Sequence, residues 1–148
     1  MVSFKDIEPL QGNWSGTKAV LLNDDYILLN YTTKLVVTLL NDSLELYFTT
    51  TEFDLNEVPK EIEKGFLSIY KNGSKLSFGS REYDIQNVTR TKEELTIVAV
   101  KEDEDNDKPA DIHLTIKIRA EELIILRQVK YKGTEKYLTR INMELKRK

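Results

Sequence analysis

The feature that most constrains this chain is the regular alternation of short β-prone segments and turns along almost its whole length. Segments rich in β-branched, aromatic and alternating apolar residues recur about every 8 to 12 positions, a spacing typical of β-sandwiches and β-barrels. The predicted strands are Asn13–Leu22, Tyr26–Tyr31, Lys34–Leu40, Leu44–Thr51, Phe66–Lys71, Lys75–Gly79, Tyr83–Thr91, Glu94–Lys101, Asp111–Arg119, Glu122–Tyr131 and Glu135–Lys146. An open row of so many strands exposes two edges, and closure removes them. We therefore expect an all-β fold, a single antiparallel up-and-down barrel of about eight to ten strands.

Short polar turns between these segments indicate that each strand pairs with the next one along the chain. The strongest signal is Lys71-Asn72-Gly73-Ser74, because Asn-Gly readily takes the positive φ angles of a tight hairpin turn. The other predicted turns are Asn23-Asp24-Asp25, Asn41-Asp42-Ser43, Ala120-Glu121 and Lys132-Gly133-Thr134.

Only the segment Thr51–Gly65 departs from the strand pattern. Within it, Asn56 can cap a helix and Gly65 can end one. The acidic residues Glu57 and Glu61 suit the positive end of a helix dipole. We expect one short helical turn in a longer loop, which is either a lid over a barrel mouth or an ordinary surface connection.

Length and composition limit the class of protein. The 148 residues indicate a single domain, residues 1–148. The absence of cysteine excludes disulfides, thiolate-bound zinc, iron–sulfur clusters and thiol nucleophiles. Lys and Arg number 22 against 25 Asp and Glu, and their interspersed signs disfavour a nucleic-acid surface.

No apolar run approaches the roughly 18 residues of a membrane span. The N-terminus lacks the layout of a signal peptide, so we expect either a cytoplasmic protein or an exported form that begins after a removed signal.

Residues suited to catalysis or metal binding are scarce. His113 is the only histidine, so a Ser-His-Asp triad would have to use it. Zinc sites with two or three histidines are excluded for the same reason. Its position opposite the apolar row of its strand predicts that it lies in solvent. Asp103, Asp105 and Asp107 have the spacing that opens a calcium loop, but Leu114 stands where the closing Glu is needed. We expect no enzymatic activity, no metal and no cofactor.

Apolar residues alternate along several strands in the second half of the chain, which indicates that one face of each strand is buried. The rows are Ile112, Leu114, Ile116 and Ile118; Leu123, Ile125, Val129 and Tyr131; and Tyr137, Ile141, Met143 and Leu145. Arg127 interrupts the second row. Two other segments, Tyr26–Leu29 and Leu35–Leu40, are apolar on both faces. We expect them to be covered on both sides or to contact a partner, and a homodimer is one such arrangement.

The segment from Leu10 to Gly16, with Gly12 and Trp14 at its centre, resembles the first strand of the calycin group, which contains the lipocalins and fatty-acid-binding proteins. In those families the tryptophan closes one end of the barrel, and a basic residue of the last strand packs across its ring. The resemblance implies that Gly12 and Trp14 form a structural plug rather than part of a ligand site.

The end of the chain resembles fatty-acid-binding proteins in the triplet Thr139-Arg140-Ile141. In those proteins an arginine and a tyrosine hold a carboxylate, although here Asn142 replaces the tyrosine. The resemblance implies that an inward-pointing Arg140 would anchor an anionic head group. Strand alternation favours the opposite orientation, with Ile141 and Met143 inward and Arg140 outward.

A closer resemblance is to bacterial lipocalin-like domains of uncharacterised function. The shared segments are Gly12–Thr17, Asp107–Ala110 and Val129–Gly133. The similarity extends loosely over nearly the whole chain and implies a fold more firmly than an activity.

Tyrosines on the predicted strands offer an apolar ring with one hydroxyl, which suits a cavity for an amphipathic molecule. We expect noncatalytic binding of a small apolar or amphipathic ligand inside the barrel. The candidate ligand-binding residues are Arg140, Tyr47, Tyr70, Tyr83 and Tyr131. The alternative is a filled barrel that acts as a protein-interaction or dimerisation module. An interior without a void of about 300 Å³ would favour the alternative.

Overall fold

Ten antiparallel strands close into a barrel in the computed structural model of the chain, which describes residues 2–22, 27–40, 45–53, 56 and 58–148. The strands are β1 (Gly12–Leu22), β2 (Ile27–Leu39), β3 (Glu45–Phe53), β4 (Pro59–Tyr70), β5 (Lys75–Phe78), β6 (Arg81–Arg90), β7 (Leu95–Asp105), β8 (Lys108–Ile118), β9 (Glu122–Tyr131) and β10 (Leu138–Arg147). Each strand pairs with the next along the chain, and β10 pairs with β1. The predicted all-β, up-and-down antiparallel barrel is confirmed.

The hairpin turn predicted at Lys71–Ser74 has the backbone that its sequence permits. The φ angles of Lys71, Asn72 and Gly73 are positive, at 50°, 56° and 81°, a region that Gly and Asn enter at low cost. Two other predicted turns, Asn23-Asp24-Asp25 and Asn41-Asp42-Ser43, fall outside the described residues.

The predicted strands Tyr26–Tyr31 and Lys34–Leu40 form the single strand β2, although Tyr26 itself lies outside the described residues. The residues between them, Thr32 and Thr33, are β-branched and carry no turn signal, so the pleat continues through them. Thr33 is fully buried, in line with the inward residues that follow it on β2.

The helical turn predicted within Thr51–Gly65 is wrong, because residues from Pro59 onward belong to strand β4. The antiparallel ladder with β3, which pairs Thr51 with Ile62 and Thr49 with Lys64, overrides the local capping signals. Pairing along the whole length of β3 forms more backbone hydrogen bonds than a helix of one turn could.

The helical segment of the fold lies at the N-terminus instead. Helix α1 (Phe4–Ile7) continues into a 3₁₀ helix (Glu8–Leu10) that starts with a proline in its first turn. This segment buries Val2, Ile7 and Leu10 against the barrel core. It covers the end of the barrel where β1 begins and β10 stops, here called the closed end. No helix among the described residues is long and apolar enough to cross a membrane.

Trp14 is the centre of the closed end. Its side chain is 1% exposed, and its Nε1 donates a hydrogen bond to the carbonyl oxygen of Leu10 (2.9 Å). The guanidinium of Arg147, on β10, lies 4.2 Å from the centroid of the indole ring, a cation–π contact. Arg147 also donates to the main-chain oxygens of Pro9, Gln11 and Ala120. One side chain of the last strand therefore joins the first strand, the N-terminal segment and the β8–β9 turn.

The interior changes character along the barrel axis. Near the closed end it is apolar, with Trp14, Leu35, Leu46, Ile116, Leu123 and Leu145 buried together. Toward the opposite end, here called the open end, inward positions on the same strands carry charge: Lys18 on β1, Glu52 on β3, Arg127 on β9 and Arg140 on β10. Several buried charges in one half of a barrel are costly unless they are paired or bind something.

The barrel wall is shortest at β5, which has four residues and ends well before its neighbours reach the open end. β5 pairs with β4 only from Leu67 to Tyr70, so within the described residues the upper part of β4, residues 59–66, has a ladder partner on the β3 side alone. One further hydrogen bond, from Gly79 N–H to the Phe66 oxygen (3.2 Å), marks the top of the shared wall. Above it a side gap lies between β4 and the β5–β6 turn.

Replacing Arg147 with Met should destabilise the fold by about 2–3 kcal/mol, because it removes the cation–π contact and leaves carbonyl oxygens without a donor. Urea unfolding followed through the fluorescence of Trp14 measures this change. Arg119→Met is the matched control, since that arginine is 53% exposed and its Nε lies 3.5 Å from Glu94, and it should cost less than about 0.5 kcal/mol. Equal losses in the two variants would contradict the role given to Arg147.

The ion pair that holds the N-terminal segment to β6 should make the fold sensitive to acid. A hydrogen bond from Arg90 lowers the pKa of Asp6 from 3.8 to about 2, and the N–H of Ser3 assists (2.8 Å). Because folding lowers this pKa, its stabilisation is complete above pH 3.8 and disappears as the pH falls toward 2. Wild type should therefore be more stable than Asp6→Asn at pH 7, and the difference between their urea midpoints should shrink between pH 4 and pH 2. A difference that stays constant over this range would contradict the assignment.

Candidate functional site

A cavity of about 340 Å³ lies inside the barrel between the apolar closed half and the open end. Its walls are inward-facing residues of β1, β3, β4, β5, β6, β8, β9 and β10. It reaches the surface at the side gap, where Lys64, Gly79 and Ser80 line it and are exposed. The volume falls within the range of small-molecule sites, roughly 300–1,000 Å³.

The side of the cavity nearest the closed end is aromatic and aliphatic. Phe48 and Phe78 stack with ring centroids 5.3 Å apart and an interplanar angle of 11°, and Ile125 and Met143 complete this wall. Gly65 of β4 is the register partner of Phe48, and a Cβ atom there would lie 2.7 Å from the phenylalanine ring. Glycine therefore lets the ring lie flat against β4. A smaller apolar pocket of about 40 Å³ continues from these residues toward the closed end.

The side of the cavity nearest the open end is cationic. Lys18, Lys64, Arg81 and Arg127 line it, and no Asp or Glu does so among the described residues. Lys18 forms a largely buried ion pair with Glu52. Arg81 lies 3.6 Å from the carboxylate of Asp103 at the edge of the side gap. The cavity therefore has one apolar side and one positively charged side.

Arg127 differs from the other inward cations. It lies on β9 between Leu114 of β8 and Ile141 of β10, in register with both. It forms no hydrogen bond or ion pair with the part of the chain that the structure describes, and its Nε is shielded from solvent. Burial, and then repulsion from Arg81, lower the pKa of its guanidinium below the ordinary value.

Arg140 points inward, which corrects the prediction from strand alternation. A β-bulge explains the difference: Thr139 pairs with Gln128 and Ile141 with Arg127, so Arg140 is an extra residue in β10. The bulge lets Arg140 and Ile141, although adjacent, both face the interior. Arg140 is 4% exposed.

The charge of Arg140 is already satisfied. Its Nη2 donates to Asp105 of β7 (2.7 Å) and to the hydroxyl of Tyr131 on β9 (2.8 Å), and its Nη1 donates to the Leu21 oxygen of β1 (3.4 Å). Burial lowers the pKa of Arg140, but the hydrogen bonds and charge interactions with Asp105 and Tyr131 together outweigh it, so the pKa is raised overall. Arg140 thus joins three strands near the open end.

The four candidate tyrosines divide between the interior and the surface. Tyr83 is buried and lines the cavity, and the hydroxyl of Tyr131 donates to Asp105 beside Arg140. Tyr47 lies on the outer face, with its ring 5.3 Å from that of Phe66. Tyr70 also lies outside, where a hydrogen bond to Glu82 raises its pKa to about 12. The structure therefore brings only Tyr83 and, near the open end, Tyr131 to the interior.

His113 lies on the outer wall, as its alternation predicted. Its Nε2 is 3.2 Å from the hydroxyl of Tyr137, and the two rings meet edge to face at 4.9 Å. Partial burial lowers the pKa of the imidazole. Of the acidic residues with calcium-loop spacing, Asp105 is bound to Arg140. The described residues contain no group of three His, Asp or Glu placed to hold a metal.

The sequence carried a signal for two of the site residues that reasoning from sequence missed. Arg127 breaks an otherwise apolar row, and Lys18 follows Trp14 and Gly16 on the inward face of β1. Charged residues are rarely buried, so a charge in a row of inward residues points to a binding or ion-pair site in the interior. Arg81 had no such signal. It is the first residue of β6, directly after a turn, so no apolar row precedes it that its charge could interrupt.

Fold and site together define a closed, ten-stranded antiparallel barrel with an interior cavity that is apolar on one side and cationic on the other. The fold is similar to that in the crystal structure of Rv2717c from M. tuberculosis. The two match with a TM-score of 0.68 and 15% sequence identity, over 98% of this chain and 96% of that chain. At this identity the similarity supports the fold and no shared activity. No family model matches the sequence, and no curated protein matches it significantly.

The contact between Arg140 and Asp105 should behave as a coupled structural pair. Arg140→Met leaves a partly buried carboxylate without its cation, so it should lower the unfolding free energy by about 2–4 kcal/mol. The double variant Arg140→Met/Asp105→Asn should lose at least about 1 kcal/mol less than the sum of the single variants. Urea unfolding of the four proteins measures the coupling, and strictly additive losses would mean that the two side chains do not depend on each other.

Proposed function

We propose that this chain is a lipocalin-like barrel of the calycin type that binds a small amphipathic molecule, without catalysis, in its interior cavity. The observation that carries the proposal is the cavity itself: about 340 Å³, with stacked phenylalanines on one side and inward cations on the other. A filled barrel would not leave such a volume, since protein interiors otherwise pack without voids much larger than a water molecule.

The two sides of the cavity support a ligand with two unlike ends. The ring faces of Phe48 and Phe78 and the thioether of Met143 offer polarisable apolar contacts. Tyr83 and the cations across the cavity offer hydrogen-bond donors. Pockets that are mostly apolar with a few polar groups are typical of sites for small organic molecules.

The lipocalin-like assignment is supported by the closed end. Trp14 lies under Arg147 of the last strand, the arrangement that the Gly12–Trp14 resemblance implies. It accounts for the closure of the barrel and contributes nothing to the cavity lining, so a ligand would contact other residues.

The noncatalytic part of the proposal is supported by the composition of the described lining. General-base catalysis needs an imidazole or carboxylate within hydrogen-bond reach of the substrate. His113 lies on the outer wall, and the interior carboxylates Glu52 and Asp105 are bound to Lys18 and Arg140.

A second candidate is a protein-interaction or dimerisation module. The observation in its favour is an apolar patch on the outer face of β2–β4, where Val36, Ile62 and Phe66 are 47%, 60% and 45% exposed and Tyr47 packs against Phe66. Exposed apolar patches often mark contact sites. The interior cavity favours ligand binding over this candidate, because a module that acts through its outer face needs no void.

Filling the cavity should abolish binding of a neutral apolar probe. In Ile141→Trp the larger side chain occupies the space beside Met143, so 1-aminoanthracene should bind at least about tenfold more weakly than to wild type, by fluorescence titration. Thr115→Trp, on the outer face of β8, is the matched control and should bind the probe as wild type does. Native mass spectrometry of the purified protein should show a monomer with a small-molecule adduct. A dimer without an adduct, together with no probe binding, would favour the interaction module.

A further inference from the structure

Arg127 is an inward cation to which the described part of the chain gives no ion pair. Lys18 is paired with Glu52, Arg140 with Asp105, and Arg81 lies near Asp103. Arg127 has no such partner among the described residues, although it lines the same cavity. Among the inward side chains that the structure describes, Arg127 is therefore the cation without an ion pair.

The surroundings of Arg127 leave its guanidinium facing the cavity. Its strand neighbours in register, Leu114 and Ile141, are apolar and cannot accept a hydrogen bond. The nearby carboxylate of Asp105 accepts hydrogen bonds from Arg140 and Tyr131 instead. The remaining space around the guanidinium is the cavity. Its five N–H donors are thus presented to whatever occupies that cavity.

A buried guanidinium without an anion is unfavourable, and an anionic group of a ligand would remove the penalty. Arginine suits this task because its planar fork donates two parallel hydrogen bonds to a carboxylate or a sulfonate. The Phe48–Phe78 stack lies on the opposite side of the cavity and suits an apolar tail.

We propose that the cavity selects amphipathic molecules with a single acidic group, a carboxylate or a sulfonate, and that Arg127 is the residue that pairs with it. This inference rests on the proposed function and narrows its ligand class. The acidic group occupies the space between Arg127 and Tyr83, and the tail points toward Phe48 and Phe78. Arg140, the arginine indicated by resemblance to fatty-acid-binding proteins, instead holds the open end of the barrel together through Asp105.

The test compares three ligands of equal chain length, octanoate, 1-octanol and octylammonium, by calorimetric titration. Wild type should bind octanoate at least about tenfold more tightly than 1-octanol, and octylammonium no more tightly than 1-octanol, because only the acid pairs with Arg127. Arg127→Met should remove the preference for octanoate and leave the affinity for 1-octanol within about threefold of wild type. Octanesulfonate distinguishes a general anion site, which binds it as well, from one specific for carboxylates.

Two further variants keep the test decisive. Arg127→Lys retains the charge and should retain a reduced preference for octanoate, and Arg119→Met on the outer surface should behave as wild type. Without ligand, Arg127→Met should also be at least as stable in urea as wild type, because it removes a half-buried charge that has no ion pair among the described residues. If Arg127 were purely structural, the substitution would destabilise the protein instead. Equal affinity of wild type for octanoate and 1-octanol, or a preference that persists in Arg127→Met, overturns this inference while the proposed function stands. Failure of all ligands and of 1-aminoanthracene to bind overturns both.

Discussion

The contact between Arg147 and Trp14 is the interaction on which the rest of the structure depends. These two residues are register partners across the β1–β10 seam, the ladder that turns an open sheet into a barrel. The flanking glycines make the seam possible: a Cβ at Gly16 would lie 2.0 Å from the Glu144 oxygen, and one at Gly12 would lie 2.9 Å from the Arg147 guanidinium. Because Arg147 also holds the N-terminal segment, a single side chain closes both the sheet and one end of the barrel.

Closure at one end leaves the other free to carry function. The closed half packs as an ordinary apolar core, so the stability of the fold does not require the open half to be filled. The open half can therefore hold charges and a cavity. The four-residue β5 adds the second condition for a binding site, since a full-length strand there would extend the wall over the cavity mouth. The site thus follows from an asymmetry of strand length on an otherwise regular barrel.

The fold was largely predictable, whereas the candidate site was predictable only in part. Alternation and turn residues identify most strands, because side-chain burial in a sheet has a period of two that is visible in one sequence. The same rule failed at Arg140, where a bulge shifts the alternation by one residue. It also failed for the helix predicted in Thr51–Gly65, where pairing with β3 outweighed local propensity. Residue type alone suggests Tyr47 and Tyr70 as ligand contacts, but it does not indicate on which side of the barrel wall a ring lies.

The class of fold, the direction of strand pairing and the cation at position 127 within an apolar row can all be read from the amino-acid sequence. Those properties depend on residues close together in the chain. Which charged side chains form ion pairs depends on the tertiary structure. Lys18 meets Glu52 and Arg140 meets Asp105 across 34 and 35 positions of sequence, and neither pair shares a local pattern. The closed barrel sets these distances, because its register brings inward side chains of distant strands to the same height. The same geometry places Arg127 in the cavity with no ion pair among the residues that the structure describes.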